Sequence, residues 1–480
     1  MNRIFSPFGE GWPGFPRRSY GRLDQTEPVV LDGAPEAVFC FDVVDAEWPG
    51  FESGHVFDLT NPSMLEERLR DFWARLFKHE PGVGPDPYDD LPIFRVEITS
   101  KPGSPWFEQL VALPEDEWVE LTLSDTGGVE VDVFGGLLAA AVTARLQNVL
   151  RNIPQSAALN TLFSMNTWPD ASEADLRTAI GSLPFVKYLI ALDVGQGSAI
   201  GLADAQEDIH LYFDLGGGVY RNAPTRPNPL RFCWRQNAPI VLSHWDSDHW
   251  AGETTDPLAA SKTWIAPRQK ITKTHVAFGN RILNAGGSLL IWGKKPATLS
   301  MSLAGGQTLE LSKCTGTSRN GSGIAAIVSD VTSQRQWLLT GDAGYHELAS
   351  IPPVPAAVVI PHHGADMGVK STPPPSPGGY ARLLYSFGPG NKHGRTSVQH
   401  PTTRAMTAHQ TQGWDHGTWV GAVPGGSLAG KDVLATAVHA SSHLNGMVVS
   451  WSAAPAVPLT TFPCATPGAS VGCTGSVPQA

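Results

Sequence analysis

The chain has 480 residues, of which 41% are hydrophobic and 16% are charged, and its formal net charge is −11. This length predicts more than one domain. The acidic balance argues against a general nucleic-acid-binding protein, which carries a basic surface, but it allows an enzyme with a local basic groove. The 50 glycines and 40 prolines favour short strands joined by turns over a helical bundle.

The cysteines and the N-terminus bear on the cellular compartment. The five cysteines form no CxxC pair and are Cys40, Cys233, Cys314, Cys464 and Cys473. A sparse, odd set is typical of a reducing compartment, although the last two could pair if oxidised. The N-terminus has no apolar signal segment, and the longest apolar run, at 133–144, is too short to cross a bilayer. We therefore expect a cytoplasmic protein without membrane contact.

The first region, residues 1–184, predicts a separate α+β domain without a catalytic constellation. Ser63 and Glu66 match a capping box that begins a helix. Two further helices are predicted at about 135–152 and 172–183, because apolar residues recur there at helical spacing. The segments "LPIFRVEI" and "EWVELTL" predict strands. We expect this domain to contact a protein partner or the substrate.

The second region, residues 185–453, consists of short apolar strands separated by glycine-containing turns. The predicted strands are "FVKYLIALDV", "SAIGL", "IHLYFDLGGG", "APIVLSH", "TWIAP", "GIAAIVSD", "QWLLTGD", "AAVVIPHHG", "RLLYSFG" and "GMVVSWS". Nearly every polar cluster follows the carboxyl end of a strand, which is typical of a sheet-based hydrolase whose loops collect at one edge. Residues 454–480 are rich in Pro, Ala, Ser and Gly and predict a disordered or loosely docked tail.

Four potential metal ligands lie within six positions of the segment "SHWDSDHWAG", namely His244, Asp246, Asp248 and His249. Imidazole and carboxylate groups suit zinc, manganese and iron. Distant partners are present, because "LLTGD" ends in Asp342 and "VVIPHHG" contains His362 and His363, each just past a strand. Any one of these motifs is compatible with a polar turn. Together they predict two adjacent metals that share a carboxylate.

The ordered set "HxDxDH", "GD" and "HHG" resembles the metallo-β-lactamase superfamily, and more narrowly the metallo-β-lactamase domain of the competence protein ComEC. The segments that carry the resemblance are "LDVGQGSAI", "YFDLGGG", "VLSHWDSDHWAG", "NGSGIAAIV", "LLTGD", "IPHHGAD" and "YSFGPGNKHG". They span more than half of the chain and leave the N-terminal region uncovered. The resemblance implies an αββα sandwich with a dinuclear site at one edge, in a soluble relative without a membrane channel.

The resemblance also implies roles for individual residues. The implied metal ligands are His244 and Asp246 for one cation, Asp248 and His249 for the other, Asp342 as the bridge, and one histidine of the pair His362 and His363, with His362 favoured. Asp214 would fix the ligand loop by hydrogen bonds, with Asp193 and Asn320 as further supporting residues. The implied cofactors are two divalent metal ions, zinc or manganese, with magnesium as an alternative.

Three departures from the family pattern affect the site. Asp246 replaces the middle histidine of the commoner "HxHxDH", as in ComEC-like members, and its harder carboxylate favours manganese or magnesium. The third-motif histidine of many members is absent, and Asn320 and Ser322 stand in that region. In "GNKHGRTSVQHP" an insertion follows the Gly-Asn turn, so either His393 or His400 could enter the site.

The implied chemistry is hydrolysis. Two neighbouring cations lower the pKa of a bridging water from about 15.7 toward neutrality, and the hydroxide attacks in line. Asp248 would orient it, Lys392 would bind a phosphate, and His393 or His400 would protonate the leaving oxygen. This predicts a phosphodiesterase or nuclease acting on nucleic acid or a nucleotide. The alternatives are a hydrolase of a small ester, lactone or amide, and a weakly catalytic, metal-stabilised interaction module with a partner-binding N-terminal domain.

Overall fold

The computed structural model describes residues 1–31, 34–55, 57–80, 86–114, 117–227, 230–396, 398–417, 419, 421, 432–436 and 446–451. They form two compact units. The first contains Met1–Pro169, Lys270–Gly286 and Lys392–Val398, and the second contains Asp170–Gln269, Gly287–Asn391 and the described residues from Gln399 onward. The predicted tail at 454–480, including Cys464 and Cys473, lies outside the described residues.

The first unit is built on a closed barrel. The described elements up to Pro169 are β1 (Arg18–Leu31), β2 (Ala34–Asp45), α1 (Pro62–Phe77), β3 (Ile93–Ser100), α2 (Pro105–Val111), β4 (Trp118–Ser124), β5 (Val129–Phe134), β6 (Val142–Leu150) and α3 (Ser156–Leu162). The strand order is β1-β2-β3-β5-β6-β4, and β1 pairs with β4 to close the barrel. Alternate side chains such as Phe39, Val96 and Leu121 fill its interior.

The helix predicted at 135–152 is wrong, because this segment contains β6, which pairs with β4 and β5. The β-branched residues Val142 and Thr143 favour extended backbone, and Ala144 and Leu146 point inward with the period of a strand. The apolar residues that matched a helical spacing are therefore explained by alternation. The strands predicted from "LPIFRVEI" and "EWVELTL" are confirmed as β3 and β4.

The helix predicted to begin at Ser63 is present as α1, but its first turn differs from the prediction. It begins at Pro62 after the N-cap Asn61, whose side chain accepts a hydrogen bond from the N–H of Met64. Proline is favoured at the first helical position because its missing N–H has no partner there in any case. The capping residue is thus Asn61 rather than Ser63.

The remaining described elements belong to the second unit, except α5, which belongs to the first. They are α4 (Glu173–Ile180), β7 (Tyr188–Leu192), β8 (Ala199–Ala203), β9 (Ile209–Leu215), β10 (Ile240–Val241), β11 (Thr263–Pro267), α5 (Lys273–Asn284), β12 (Ser288–Trp292), β13 (Thr298–Ser302), β14 (Gln307–Lys313), β15 (Ile324–Asp330), β16 (Arg335–Leu339), β17 (Ala357–Val359), β18 (Arg382–Tyr385), α6 (Thr403–Thr411), β19 (Val433–Ala435) and β20 (Gly446–Ser450). The predicted helix at 172–183 is confirmed as α4. It packs on β11, β12 and β13, so the second unit begins at Asp170, before the predicted boundary at 185.

The second unit is a sandwich of two seven-stranded sheets, as the family resemblance implies. One sheet has the order β12-β11-β10-β9-β8-β7-β20, and the other has the order β13-β14-β15-β16-β17-β18-β19. Leu202 and Phe213 from the first sheet and Val328 and Leu339 from the second meet in one core. Burial of each such side chain stabilises the fold by about 1.5–3 kcal/mol. On the outer face of the second sheet, α6 packs through Met406.

Parallel strands bring the predicted site residues to one edge of the sandwich. Strands β9 to β12 are parallel to one another, and so are β16 to β19. Because the carboxyl ends of parallel strands meet at the same edge, the loops after β9, β10, β16, β17 and β18 collect there. All the strands predicted between 185 and 453 are present, so the predicted motifs do lie after the ends of strands.

Two of the compartment predictions can be compared with the structure. Cys40 and Cys314 are buried free thiols, whereas Cys233 is disulfide-bonded, which departs from the reduced set that the sequence predicted. Among the described residues, no helix has the length and apolar character needed to span a membrane.

Candidate metal centre

Asp214, near the end of β9, organises the loop that follows β10. Its buried carboxylate accepts hydrogen bonds from the backbone N–H of Ser243 at 2.6 Å and from the Ser243 hydroxyl at 2.8 Å. It also accepts the Nδ1 proton of His249 at 2.7 Å. The backbone of Asp214 is left-handed, with φ 63°, a conformation that aspartate adopts more readily than most residues. These bonds fix both ends of the loop.

Three histidines of the site share one proton arrangement. His249 donates from Nδ1 to a carboxylate, as described above. His363 donates from Nδ1 to the carbonyl oxygen of Ser386 at 2.8 Å. His244 Nδ1 lies 3.0 Å from the hydroxyl oxygen of Ser243, whose own proton is committed to a carboxylate. In the neutral form of each ring, Nδ1 therefore carries the proton and Nε2 has the lone pair, which is how ligating histidines are held.

The Nε2 atoms of His244, His249 and His363 are buried and make no hydrogen bond. A buried polar atom left without a partner costs about 1–3 kcal/mol, so three together need an explanation. Divalent cations would account for all three, because a cation binds the Nε2 lone pair of a neutral imidazole. The donor chemistry of the site therefore fits a metal.

Asp342, just after β16, directs its two oxygens toward different groups of nitrogens. Oδ1 lies 3.0 Å from Nε2 of His249. Oδ2 lies 3.6 Å from Nε2 of His244 and 3.7 Å from Nε2 of His362. A carboxylate shared by two cations uses its oxygens in this way.

Asp246 and Asp248 add one carboxylate to each group. Asp246 Oδ2 lies 3.3 Å from Nε2 of His244. Asp248 Oδ2 lies 3.1 Å from Nε2 of His363, and its Oδ1 lies 3.9 Å from Nε2 of His249. Ligands at about 2.0–2.2 Å from a tetrahedral ion are roughly 3.3–3.6 Å apart. The spacings among the donors are therefore close to those around a small cation.

The backbone of Asp248 is held by two glycine-containing loops. Its carbonyl oxygen accepts hydrogen bonds from the N–H groups of Ser198 at 3.1 Å and Gly217 at 3.2 Å. A side chain at Gly216 would overlap this carbonyl oxygen, so only glycine fits there. The segments "GQGS" and "LGGG" thus hold the backbone of the ligand loop, residues 243–249, in place through close contact.

The charges at the centre stabilise one another. Burial raises the pKa of Asp342, but His249 and His362 outweigh it and hold that pKa well below its usual range. Burial lowers the pKa of His249, but Asp342 and Asp214 outweigh it and hold that pKa well above its usual range. The same balance raises the pKa of His363. Without a cation, these shifts favour a second proton on Nε2 of His249 and His363, and a bound cation would replace that proton.

Arg319 is a site residue that the sequence analysis missed. Its Nε donates a hydrogen bond to Oδ1 of Asp246. Burial raises the pKa of Asp246, but Arg319 and His244 hold that pKa well below its usual range. The side chain of Gln269 donates to the Arg319 carbonyl oxygen at 2.6 Å and so fixes its backbone. A basic residue directly before Asn320 was the available signal, but its spacing does not reveal its partner.

The other predicted supporting residues occupy different environments. Asn320 reaches the cluster, because its Nδ2 lies 3.5 Å from Nδ1 of His362. Asp193 is buried in the loop after β7, where it accepts a hydrogen bond from the N–H of Gly195 at 3.1 Å. Burial raises the pKa of Asp193 to about 7, and the bond from Gly195 offsets this only in part. Asp193 therefore shapes its own glycine loop.

Asn391 joins the two ends of the insertion that the sequence analysis noted. Its side chain donates to the carbonyl oxygen of His400 at 2.7 Å and accepts the His400 N–H at 2.8 Å. The ring centroids of His400 and His362 are 5.6 Å apart. His400, one of the two histidines named as potential proton donors, thus lies beside His362 of the candidate metal centre.

The inserted segment itself packs with the first unit. There Arg395 donates to both oxygens of Asp132, at 2.9 and 2.6 Å, and to Glu130. Its guanidinium is therefore paired with carboxylates and does not add to the phosphate contact predicted for Lys392. Lys392 is exposed and His393 is buried. Their catalytic roles stay predictions.

A second cluster of aspartate and histidine lies in the first unit and contains Asp24, Asp42 and His275. The N–H of Thr272 donates to Nδ1 of His275 at 3.0 Å, so the proton of the neutral ring sits on Nε2. The carboxylates have protein donors, because Arg95 binds Asp24 at 3.1 Å and the Thr272 hydroxyl donates to Asp42. This cluster is a hydrogen-bonded ion-pair network without a free imidazole lone pair.

No family model matches the sequence, and no curated protein matches it. Among solved structures, Zn²⁺-bound PqqB from Methylobacterium extorquens is 11% identical over 34% of this chain and 59% of that chain, with a TM-score of 0.24. The subclass B3 metallo-β-lactamase MEM-A1, from a soil metagenome library, is 14% identical over 36% of this chain and 66% of that chain, with a TM-score of 0.22. A Cronobacter sakazakii metallo-β-lactamase with a HARLDQ motif is 16% identical over 38% of this chain and 68% of that chain, with a TM-score of 0.22. The chain covers less than two thirds of PqqB and MEM-A1, and likenesses of this extent show no shared activity.

Proposed function

We propose that the second unit is a metal-dependent hydrolase whose centre binds two divalent cations. The observation that carries the proposal is the set of three buried Nε2 atoms that make no hydrogen bond and face carboxylate oxygens. The proposed donors are His244 and Asp246 for one cation, Asp248, His249 and His363 for the other, and Asp342 for both. The cations we propose are zinc or manganese, with magnesium as an alternative because three donors are carboxylates.

Cations bound in this way lower the pKa of water and stabilise negative charge on the attacked group. The protein's own residues would orient the reactants. The Asp248 side chain is 25% exposed, against 7% for Asp246 and 3% for Asp342, so it is the carboxylate best able to accept a proton from an attacking water. His400, beside His362, would donate a proton to the leaving oxygen. Asp214 would keep the ligand loop in register.

Within this class we favour a phosphodiester of nucleic acid or of a nucleotide as the substrate. Support comes from the order of the motifs, from their resemblance to the ComEC domain, and from Asp246, whose carboxylate suits the hard cations that accompany phosphate. The loop cation Arg395 lends no support, because Asp132 and Glu130 bind it. A protein partner for the N-terminal unit remains part of the proposal.

A small ester, lactone or amide is the second candidate substrate, and a cavity lined in part by sequence neighbours of the histidine pair supports it. The cavity has a volume of about 340 Å³. Its lining includes Pro361 and Ala365, which flank the histidine pair in sequence, and Met367 and Val369 from the loop that follows. A mostly apolar cavity of this size suits the acyl part of a small ester better than it suits a nucleotide.

Substrate panels with defined metal content test the proposal. The purified full chain is stripped with a chelator, reloaded with Zn²⁺, Mn²⁺ or Mg²⁺, and assayed with single-stranded DNA, RNA, cyclic dinucleotides and lactones. We expect phosphodiester cleavage that Asp248→Ala and His249→Ala abolish. The matched controls are Asp125→Ala and His346→Ala, which change an exposed carboxylate and an exposed imidazole elsewhere.

Each outcome selects one candidate function. Lactone turnover without phosphodiester cleavage would favour the small-ester hydrolase. Binding of about two equivalents of metal without turnover of any substrate would favour the metal-stabilised interaction module. Less than about one equivalent of bound metal would refute the dinuclear centre.

A further inference from the structure

The two histidines of "HHG" direct their side chains differently because both have a left-handed backbone. His362 has φ 49° and ψ 47°, and His363 has φ 54° and ψ 18°. Consecutive non-glycine residues rarely adopt this conformation, and such strain concentrates at functional sites. As a result the ring centroids are 6.2 Å apart and the ring planes are inclined by 73°. Although adjacent in sequence, the two rings meet different partners.

His363 belongs with Asp248 and His249. Its Nε2 lies 3.1 Å from Oδ2 of Asp248, and its ring centroid lies 5.3 Å from that of His249. Its Nδ1 proton is committed to the carbonyl oxygen of Ser386. Only Nε2 is available for a ligand, and it faces the group that contains Asp248.

His362 belongs with His244. Its Nε2 lies 3.7 Å from Oδ2 of Asp342, and the same oxygen lies 3.6 Å from Nε2 of His244. Nε2 of His244 is in turn 3.3 Å from Oδ2 of Asp246. The other oxygen of Asp342 faces His249 instead. The two oxygens of Asp342 therefore separate the two histidines of the pair.

We propose that the neighbouring histidines bind different cations, and that His362 completes the donor set of His244, Asp246 and Asp342. This inference rests on the proposed metal-dependent function. His362 would take the part of the third-motif histidine that the sequence lacks. Arg319 increases the need for this further ligand, because it donates to Oδ1 of Asp246 and leaves that carboxylate one oxygen for a cation.

Asn320 is the positioning residue for His362 in this arrangement. Its side-chain amide lies 3.5 Å from Nδ1 of His362. When Nε2 of His362 binds a cation, Nδ1 carries the proton. A half-turn about the last side-chain bond of Asn320 then allows the amide oxygen to accept a hydrogen bond from Nδ1. The residue in the third-motif region would thus support the ligand that replaces the missing histidine.

Metal content tests this split without reference to catalysis. His362→Asn and His363→Asn are suitable variants, because asparagine tolerates a left-handed backbone better than alanine does. After dialysis of the full chain against Mn²⁺, we expect about two equivalents in the wild type and about one in each variant. The electron paramagnetic resonance spectrum of Mn²⁺ should change from that of a coupled pair to that of an isolated ion.

A second substitution identifies the position that remains. In the His362→Asn background, Asp248→Ala should remove the last equivalent of metal, and Asp246→Ala should leave it in place. In the His363→Asn background, the two alanine variants should have the reverse effects. The opposite pattern would overturn the split, as would two equivalents in His362→Asn or fewer than two in the wild type.

Folding and activity are measured separately. Circular dichroism and thermal unfolding of chelated samples identify any variant that has lost its fold, and His362→Gln or His363→Gln then replaces it. If metal content shows that His362 and His363 bind different cations but no substrate is hydrolysed, the proposed function is refuted and this inference stands. Hydrolysis together with full metal content in His362→Asn would refute this inference alone.

Discussion

The two buried clusters of aspartate and histidine differ in what their imidazole nitrogens face. In the second unit, His249 and His363 donate from Nδ1 and direct Nε2 toward carboxylates. In the first unit, His275 accepts a backbone N–H at Nδ1, so its other nitrogen carries the proton. The two clusters contain the same residue types, but of these histidines only those of the second unit have an Nε2 atom that can bind a cation.

The clusters also differ in how the carboxylates are neutralised. In the first unit, Arg95 pairs with Asp24, and buried Lys273 donates to the carbonyl oxygen of Asp42. Burial lowers the pKa of Lys273 to about 7, although Asp42 opposes the change. In the second unit, Arg319 pairs with Asp246. The two clusters are therefore alike in composition and burial, and they differ in the hydrogen bonds of their histidines and in the Arg and Lys side chains beside their carboxylates.

The largest difference between the clusters should follow the loss of Asp342. Asp342→Ala removes the carboxylate that faces both donor groups, so we expect metal content below about one equivalent. Hydrolysis should fall by about 10³-fold, which corresponds to about 4 kcal/mol in transition-state stabilisation. Mass spectrometry of bound metal and steady-state kinetics check this. Full metal content in the variant would show that Asp342 does not bridge.

The corresponding change in the other cluster should alter stability and leave metal binding intact. Asp42→Ala leaves the Thr272 hydroxyl and the buried Lys273 without their acidic partner. We expect the free energy of unfolding of the first unit to fall by about 3 kcal/mol, as for other broken buried pairs. Denaturant titration measures the loss. Reduced metal content in this variant would mean that the Asp24, Asp42 and His275 cluster also binds a cation.

A smaller effect should follow Asp214→Asn, which keeps the shape of the side chain and tolerates the left-handed backbone. The amide cannot accept all the hydrogen bonds from Ser243 and His249 that the carboxylate accepts, so the ring of His249 loses its fixed proton position. We expect metal affinity to fall by about 10–100-fold. Competition with a metal-binding dye measures it. Unchanged affinity would show that the Nδ1 contacts do not distinguish the two clusters.

A change of pH should have the smallest effect on the stability of the second unit. The pKa values of Asp246 and Asp342 are depressed, so their contribution to stability is present above an unfolded pKa of about 4 and is lost as pH falls through the folded values. The pKa values of His249 and His363 are raised, so their contribution is full below about 6.5 and is lost as pH rises through the folded values.

The chelated second unit should therefore be most stable from about pH 4 to 6.5, and metal should move this optimum upward. Metal binding should release protons, with affinity rising about tenfold per pH unit for each proton released. Thermal unfolding at several pH values with and without chelator, and calorimetry in buffers of different ionisation enthalpy, check this. Metal binding without proton release would contradict the charge balance described above.

Much of the second unit could be predicted because its chemistry follows strand ends. Apolar runs identified the strands, and "HWDSDH", "TGD" and "HHG" follow β10, β16 and β17 directly. Parallel strands then carry these loops to one edge without any further information. The Asp214 contact with the ligand loop was likewise expected, in this case from the family resemblance.

Other features depend on long-range packing, which spacing in the sequence does not encode. Arg319 meets Asp246 only because the loop before β15 folds over the ligand loop. The proton positions of the histidines depend on acceptors such as Ser386, which is distant in sequence. The segment 135–152 was misread because its apolar residues fit both a helical and a strand period, and only pairing with β4 and β5 decides between them.

The reciprocal hydrogen bonds between Asn391 and His400 separate the inserted segment from the edge that carries the site. Because the bonds are made by one side chain and the His400 backbone, the stretch between the two residues can change in length or sequence while His400 keeps its position. Evolution can therefore lengthen, shorten or replace this excursion as an independent appendage. The same closure offers protein engineers an attachment point for a new recognition segment next to His400.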